Sequence, residues 1–502
     1  MRILCLVVYL LGMAGITGAE SISLENRREL FIDGFMIDRL QGAARQVYHN
    51  PVDREIVMVF DKPWEGNSCG YFTVFRDDDL YRMYYRAHSF KIEGKKVKSP
   101  HQQYICYAES CDGTHWTRPN LELVEFNGSK ENNIVLEGVG SHNLAVFKDN
   151  NPKCDPAARY KAVGRGPRRG KEVIIDGRRW RGLIPFQSAD GIHWTQLQEY
   201  GMIEDGNMDS QNLAFWDEAQ GEYRAYYRCF HNNIRDIKMA TSPDFFNWSK
   251  GVFLQYNRKP HAQFYTNVIK PYYRAKQIYL GFPLMYDDRG WTAALEQLPD
   301  LKQRKIKSQA LFRMGTAITD TTLMSSRDGI HFDLAPDTFL PPGPERAGNW
   351  MYGTNAVAWH LVETQSNLRG ADSVLSLYVS ENIRLDSPHK LRRYTLRLDG
   401  FASIHAPIAG GEVITPLVTF KGKLLLVNFA TSSAGALRVE IQDQNGQPIP
   451  DFALDDCVEL YGDTVERAVN WKNNPDLSAL AGQPVRLRFS LQDADIYSFK
   501  FD

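Results

Sequence analysis

The chain has 502 residues, 43% hydrophobic and 12% aromatic, with 59 basic against 60 acidic side chains. That length supports a sizeable core and two domains. The formal charge of −1 excludes the basic excess of a general nucleic-acid binder.

Met1-Arg2 precedes an apolar run over 3–16, and Thr17-Gly-Ala19 supplies the small residues of a cleavage site. Residues 1–19 therefore read as a signal peptide, making the mature protein secreted or periplasmic. Gly12, Gly15 and the shortness of the run argue against an anchor, and no later segment could span a membrane. Cleavage leaves 483 residues and a charge of −2. Cys69, Cys106, Cys111, Cys154, Cys229 and Cys457 remain, with no CxxC pair and no metal-ligand spacing, so buried or incidental thiols are expected, with no metal and no cofactor.

Two candidate strands follow, 29–38 and 44–48. Either could close a ring from the far end of the chain. Asp33 is a minor candidate for the site. From about residue 63 a unit then repeats five times. Its clearest copy runs Leu213-Ala-Phe-Trp216, turn, Tyr223-Arg-Ala-Tyr-Tyr-Arg228, Ile237-Lys-Met-Ala-Thr241, and ends on a turn with Ser242, Asp244 and Trp248. The runs are short, aromatic and β-branched, as antiparallel strands require.

First strands recur at Tyr71-Phe-Thr-Val-Phe75, Leu144-Ala-Val-Phe147, Val268-Ile269 and Ala356-Val-Ala-Trp359. The other closing turns carry Asp112-Gly, Asp190-Gly, Asp328-Gly and, more loosely, Asp399-Gly, and with Asp244 in its place the spacings from Asp112 onward are 78, 54, 84 and 71 residues. Such irregular spacing suits blades with variable loops rather than a solenoid. His115, His193 and His331 belong to these turns, where packing explains them. A mixed-charge insertion from about 286 to 315, with a helical pattern at 293–298, is expected to cross one face and wall a pocket. After Gly410-Gly411, strictly alternating strands without the aspartate turn mark a separate module. The expected fold is all-β: a five-bladed β-propeller over 20–408, followed by a C-terminal β-sandwich over 409–502.

Aligning the blades places Asn143, Asn212, Asn267 and Asn355 at one register position, with Tyr71 in the first blade. These amides are candidates for substrate contact or for satisfying converging backbone groups. Just ahead of the strands stand Glu65, His142 and Asp209. The antiparallel second strands return Arg86, Arg165, Arg228 and Glu381 to the same end. Two carboxylates at a channel mouth could supply the acid and base of glycosidic cleavage. The arginines suit a substrate bearing carboxylate or sulfate, or else pair with local acids. Arg235-Asp236 reads as a local ion pair.

Together the five blades, the Ser-x-Asp-Gly-x-x-Trp turns, the acids at strand starts and the trailing sandwich resemble the five-bladed propeller glycoside hydrolases, notably families 32 and 43. The resemblance implies catalytic Glu65 and Asp209, with Glu381 as a third carboxylate. The Trp-Met-Asn-Asp-Pro-Asn sequence of family 32 is absent, which implies a divergent branch acting on another sugar. The aspartate turns are also similar to those of sialidases, whose three arginines match Arg86, Arg165 and Arg228 in number but whose ring has six blades. A secreted glycoside hydrolase with a carbohydrate substrate is the leading expectation. The alternative is a non-catalytic carbohydrate-binding propeller.

Overall fold

The computed structural model describes residues 21–166, 174–175, 178–179, 182–472 and 474–502. The expected signal segment 1–19 lies outside them. The protein is nearly all-β, and its contacts divide it into two units: Gln46–Ser403, and the residues up to Arg45 together with Ile404–Asp502. Residues 21–45 thus group with the C-terminal segment and not, as the sequence suggested, with the repeats.

In the larger unit the first, second, third and fifth repeats each build one antiparallel four-stranded sheet, and the fourth builds a five-stranded sheet in which Gln255–Tyr256 pairs parallel with His331–Leu334. The first sheet uses Gly70–Asp77, Leu80–Ala87, Tyr104–Ser110 and Ile134–Glu137. The second starts at Ala145–Lys148 and the third at Leu213–Asp217; the fourth starts at Lys270–Tyr272 and the fifth at Val362–Thr364. The outer strand of the fifth sheet is Val52–Phe60, paired antiparallel with His389–Arg397. This corrects the choice of 29–38 or 44–48 as the closing strand. Glu29–Leu30 pairs instead with the long strand Arg486–Phe501 of the other unit.

The closing turns hold the sheets to one another. In the second turn, Asp190 Oδ1 accepts the backbone N–H groups of Ile192 (2.8 Å) and His193 (2.9 Å), and Oδ2 takes His193 Nδ1 at 2.7 Å. The turns at Asp112 and Asp328 repeat this geometry, which assigns the three turn histidines to structure. A tyrosine on each facing second strand then donates to the turn's glycine carbonyl: Tyr84 to Gly191 (2.9 Å), Tyr226 to Gly329 (2.9 Å) and Tyr378 to Gly113 (2.7 Å). Gly191 has φ +80°, and a Cβ there would stand 2.6 Å from the Tyr84 hydroxyl. Backbone conformation and tyrosine docking both require glycine at this position.

Tyr223 reaches back from the third sheet to Asp149 (2.7 Å), and Tyr272 joins the fourth sheet to Asp399 (2.8 Å). These hydrogen bonds link each sheet to its neighbour in sequence and the fifth to the first.

In the smaller unit, Leu425–Gln442 and Arg486–Phe501 pair along most of their length around a core that includes Phe31, Phe429, Trp471 and Phe489. The sequence splits the first of these into two strands. The structure keeps one 18-residue strand whose register shifts between Thr431 and Ala436. Among the described residues the six cysteines from Cys69 to Cys457 are free thiols, and no helix is long and apolar enough to cross a membrane.

Candidate functional site

The starts of the first strands converge. Gln211 donates to Phe72 O (3.2 Å) and Thr73 Oγ1 (3.2 Å), Ser210 donates to Tyr265 O (2.6 Å), and Asn143 donates to Met208 O (2.8 Å) and Ser210 O. The amides at the shared register position are consumed by this convergence. Asn212 holds Met208 O, Ser210 O and Arg228 N; Asn267 donates to Tyr226 O and Asn355 to Thr319 O. All four amides are buried, so Asn143, Asn212, Asn267 and Asn355 fill the backbone role rather than facing a substrate.

The three candidate carboxylates have different surroundings. Glu65 is fully buried. It takes Arg118 Nε (2.8 Å) and Nη2 (3.1 Å) in a two-point contact, the Tyr85 hydroxyl (2.6 Å) and Lys62 N (3.0 Å). Its acceptor capacity is therefore spent inside the protein. Glu381 is likewise buried, between Arg392 (2.7 Å) and Arg346 (2.7 Å). Asp209 differs: its side chain is 53% exposed, and it meets His142 Nε2 at 2.8 Å and Arg165 Nη1 at 3.1 Å. The His142 hydrogen bond first, with the charges of Arg228 and Arg165, holds its carboxyl well below the usual range against the opposing effect of burial.

Burial pushes His142 down to about 4, with Arg86 and Arg165 adding repulsion, although the Asp209 hydrogen bond opposes the shift. The ring is therefore neutral near pH 7. Its Nε2–H donates to Asp209, and its Nδ1, 2.8 Å from the Gln103 side-chain amide, accepts from the amide NH₂ in the assignment that satisfies both atoms.

Arg86 and Arg228 are each 5% exposed. Arg86 donates to Ser68 O (3.0 Å) and lies 4.7 Å over the Tyr71 ring. Arg228 bonds Asn207 and lies 5.5 Å from the Tyr265 ring centroid. Of the three arginines read from the sequence, Arg165 is the one that pairs with a carboxylate among the described residues.

Residues that the sequence reading did not single out complete the site. Tyr265, Tyr286 and Tyr352 form a triangle with ring centroids 5.5, 5.6 and 6.5 Å apart. Guanidinium groups surround it: Arg235 lies 4.6 Å over Tyr286, Arg384 4.9 Å and Arg313 5.7 Å over Tyr352, with Arg228 over Tyr265. Arg235 thus turns to this triangle and to Gln263 (2.7 Å), and the expected Arg235–Asp236 ion pair is not among the described contacts.

Arg313 comes from the short helix Arg313–Thr316, which ends the helical insertion that begins with Ala293–Gln297 and Leu301–Ala310. The insertion therefore does reach this face. A narrow cavity of about 40 Å³, lined by Tyr71, Arg86, Gln211, Tyr265, Tyr352 and Arg384 among others, opens here.

Among the described residues, no carboxylate lies within ion-pair distance of Arg86, Arg228, Arg235, Arg313 or Arg384, and nitrogens of Arg86, Arg235, Arg313 and Arg384 are buried without a hydrogen-bond partner. Burial and Asp209 push the Tyr265 phenol up, while Arg228, Arg384 and the Tyr352 hydroxyl pull it down and outweigh them. Register could have revealed Tyr352, which stands three residues before Asn355, as Asp209 stands three before Asn212. No group of three His, Cys, Asp or Glu that could hold a metal occurs among the described residues.

No protein family matches the chain, and no curated protein matches it. Among solved structures, a glycoside hydrolase aligns with TM-score 0.41 and 12% identity over 69% of this chain and 92% of its own. An N-acetylgalactosamine deacetylase from F. plautii, in complex with blood group B trisaccharide, aligns with TM-score 0.41 and 11% identity over 76% of this chain and 96% of its own. A sucrose-6-phosphate hydrolase from Lactobacillus gasseri aligns with TM-score 0.39 and 9% identity over 91% and 93%. Glycoside hydrolases, which the sequence resembles, are thus among the solved chains it aligns with.

Proposed function

We propose that this protein is a secreted hydrolase of glycosidic bonds in a glycan bearing carboxylate or sulfate groups, built on a five-bladed β-propeller with a C-terminal β-sandwich. The observation that carries the reading is the charge imbalance at one mouth of the ring. Five guanidinium groups, those of Arg86, Arg228, Arg235, Arg313 and Arg384, have no carboxylate partner there, and one open carboxylate, Asp209, stands among them. Buried cations call for counter-charge, and guanidinium forks match carboxylate and sulfate oxygens. The rings of Tyr265 and Tyr352, which line the cavity, add apolar surface for a sugar ring.

Asp209, held ionised, is the base or nucleophile of the reaction and stabilises positive charge developing at the anomeric carbon. His142 fixes its orientation through Nε2–H. Glu65 and Glu381 are closed off by their arginines, so the proton for the leaving oxygen comes from Tyr265, the phenol that the neighbouring cations acidify. Arg165 binds Asp209 rather than substrate.

The second reading, a carbohydrate-binding protein without catalysis, draws on that same sealing of Glu65 and Glu381, which leaves a single accessible carboxylate. The test is release of reducing ends from neutral, uronic-acid and sulfated glycans by wild type, Asp209→Asn, Tyr265→Phe and Arg384→Met, with melting curves in parallel. Cleavage of a charged glycan that Asp209→Asn lowers by about 10²-fold or more, while folding is kept, supports the hydrolase. Binding of charged glycans without cleavage by any variant moves the reading to the binding protein. Equal action on neutral and charged glycans, unchanged in Arg384→Met, removes the anionic substrate.

A further inference from the structure

The opposite ends of the same first strands enclose a second cavity, of about 480 Å³, a volume typical of small-molecule sites. Aromatic side chains, among them Phe75, Phe215, Trp216 and Tyr273, line it, and Lys270 and His360 reach it from the fourth and fifth repeats. Lysine is out of place in this position: the corresponding strands of the other repeats present Phe75, Phe147 and Phe215 to the interior.

Lys270 Nζ lies 2.9 Å from His360 Nδ1, which accepts its hydrogen bond, and sits 5.5 Å from the Trp359 ring and 6.0 Å from the Phe215 ring. No other hydrogen bond and no ion pair of Lys270 occurs among the described residues. The carboxylates around the cavity are already engaged. Asp217 holds Arg224 (3.2 Å) and the Tyr279 hydroxyl. Glu218 holds Lys276 and Asn150 (3.0 Å), Glu363 takes the Tyr273 hydroxyl at 2.8 Å, and Asp78 is paired with Lys148 and Arg159 (both 3.5 Å).

The cavity therefore has one uncompensated cation inside aromatic walls. A buried cation is stable when paired, and ring faces at 5–6 Å supply part of that stabilisation but no formal counter-charge. A single ammonium is a point charge with rotatable donors, matched to one carboxylate rather than to the planar two-point contacts an arginine makes. We propose that this cavity binds a small carboxylate-bearing molecule, with its anion on Lys270 Nζ and its body against the aromatic walls. The site is distinct from the arginine-lined mouth and does not depend on the chemistry proposed there.

Burial brings the Lys270 amine down to about 7, with Glu218 opposing the shift, so part of it is unprotonated and nucleophilic near neutral pH. That provides a site-specific readout. Brief acetylation of the full-length wild type with acetic anhydride at pH 7.5, followed by peptide mass spectrometry, should modify Lys270. D-glucuronate or benzoate at saturating concentration should protect it at least fivefold, while exposed lysines such as Lys91 are modified equally in both samples.

Calorimetric titration with the same two probes completes the test. Lys270→Met keeps an apolar side chain against Trp359 and Phe215, and should lose binding at this site by about tenfold or more. Arg384→Met should retain Lys270 protection. Equal modification of Lys270 with and without both probes overturns the proposal. So does protection that vanishes in Arg384→Met, because the anion would then be held at the other mouth.

Discussion

Replacing Glu65 by glutamine separates a structural carboxylate from a catalytic one. The substitution keeps the shape of the side chain but removes the charge that faces Arg118 Nε and Nη2 at 2.8 and 3.1 Å. It also turns an NH₂ group toward donors on Arg118 or Lys62. Arg118 is 18% exposed at its side chain and Glu65 is fully buried, so neither charge is well screened. Breaking such a pair from one side costs about 3–5 kcal/mol. For a unit of about 360 residues, with an unfolding entropy near 2 cal/mol/K per residue, that corresponds to a fall in Tm of about 4–7 °C.

Calorimetry on wild type and Glu65→Gln, read alongside activity on the best glycan substrate, decides the matter. The expected result is a lower Tm with activity per folded molecule retained. A variant that melts with wild type and yet has no activity would refute the structural assignment and return Glu65 to the chemistry.

Two further outcomes follow from the same reasoning. His389 is fully buried between Phe60 and Phe72, with ring centroids at 5.5 and 5.7 Å, and burial, with repulsion from Arg384 and Arg86, holds it near about 3. Since its folded value lies below the unfolded value of about 6.5, the unfolded chain binds this proton first. Wild type therefore loses stability as pH falls from about 6.5 toward 3. Between pH 7 and pH 4.5 the stability difference between wild type and His389→Leu should shift by about 2–3 kcal/mol in favour of the variant, measured by urea denaturation; a pH-independent difference would contradict it.

In the second turn, Asp190→Ala removes the acceptor of two backbone N–H groups and should cost about 1–2 kcal/mol at pH 7. Those hydrogen bonds depress the Asp190 carboxyl against the effect of burial. Its contribution is thus present above about pH 4 and fades as pH falls through the lower folded value. Equal destabilisation at pH 7 and at pH 1.5 in a folded sample would count against the charged form as the source.

Much of the architecture is legible because it repeats. The strand pairs and the aspartate turns carry local chemistry that recurs at matching offsets, and a turn whose glycine must receive a tyrosine hydroxyl allows few alternatives. The strand Val52–Phe60 was missed because its pairing partner lies at the other end of the unit, and nothing local distinguishes it from 44–48. Residues 21–45 were misplaced for the same reason: their partners are strands beyond residue 410.

At the candidate site, register brings Asp209, His142 and Arg165 together. Burial is what register does not carry. Glu65 and Asp209 are both acids ahead of a first strand, and only three-dimensional packing puts Arg118 and Tyr85 on one and leaves the other open. Tyr352 carries a usable register signal, three residues ahead of Asn355. Arg313 and Arg384 sit in an insertion and a loop, where no repeat constrains their placement.

The closing strand also bears on how the larger unit is made. Glu55 and Arg393, ion-paired at 2.7 Å across that seam, are 338 residues apart in the chain. During synthesis the segment Val52–Phe60 leaves the ribosome early and has no partner until almost the whole ring has been translated. Such a distant contact adds a loop-closure cost and is slow to form, so this seam is expected to close late. Until then both Val52–Phe60 and His389–Arg397 expose unpaired backbone, the kind of edge that recruits strands from other chains. Folding that begins only once the chain is complete would leave the two edges unpaired for the shortest time.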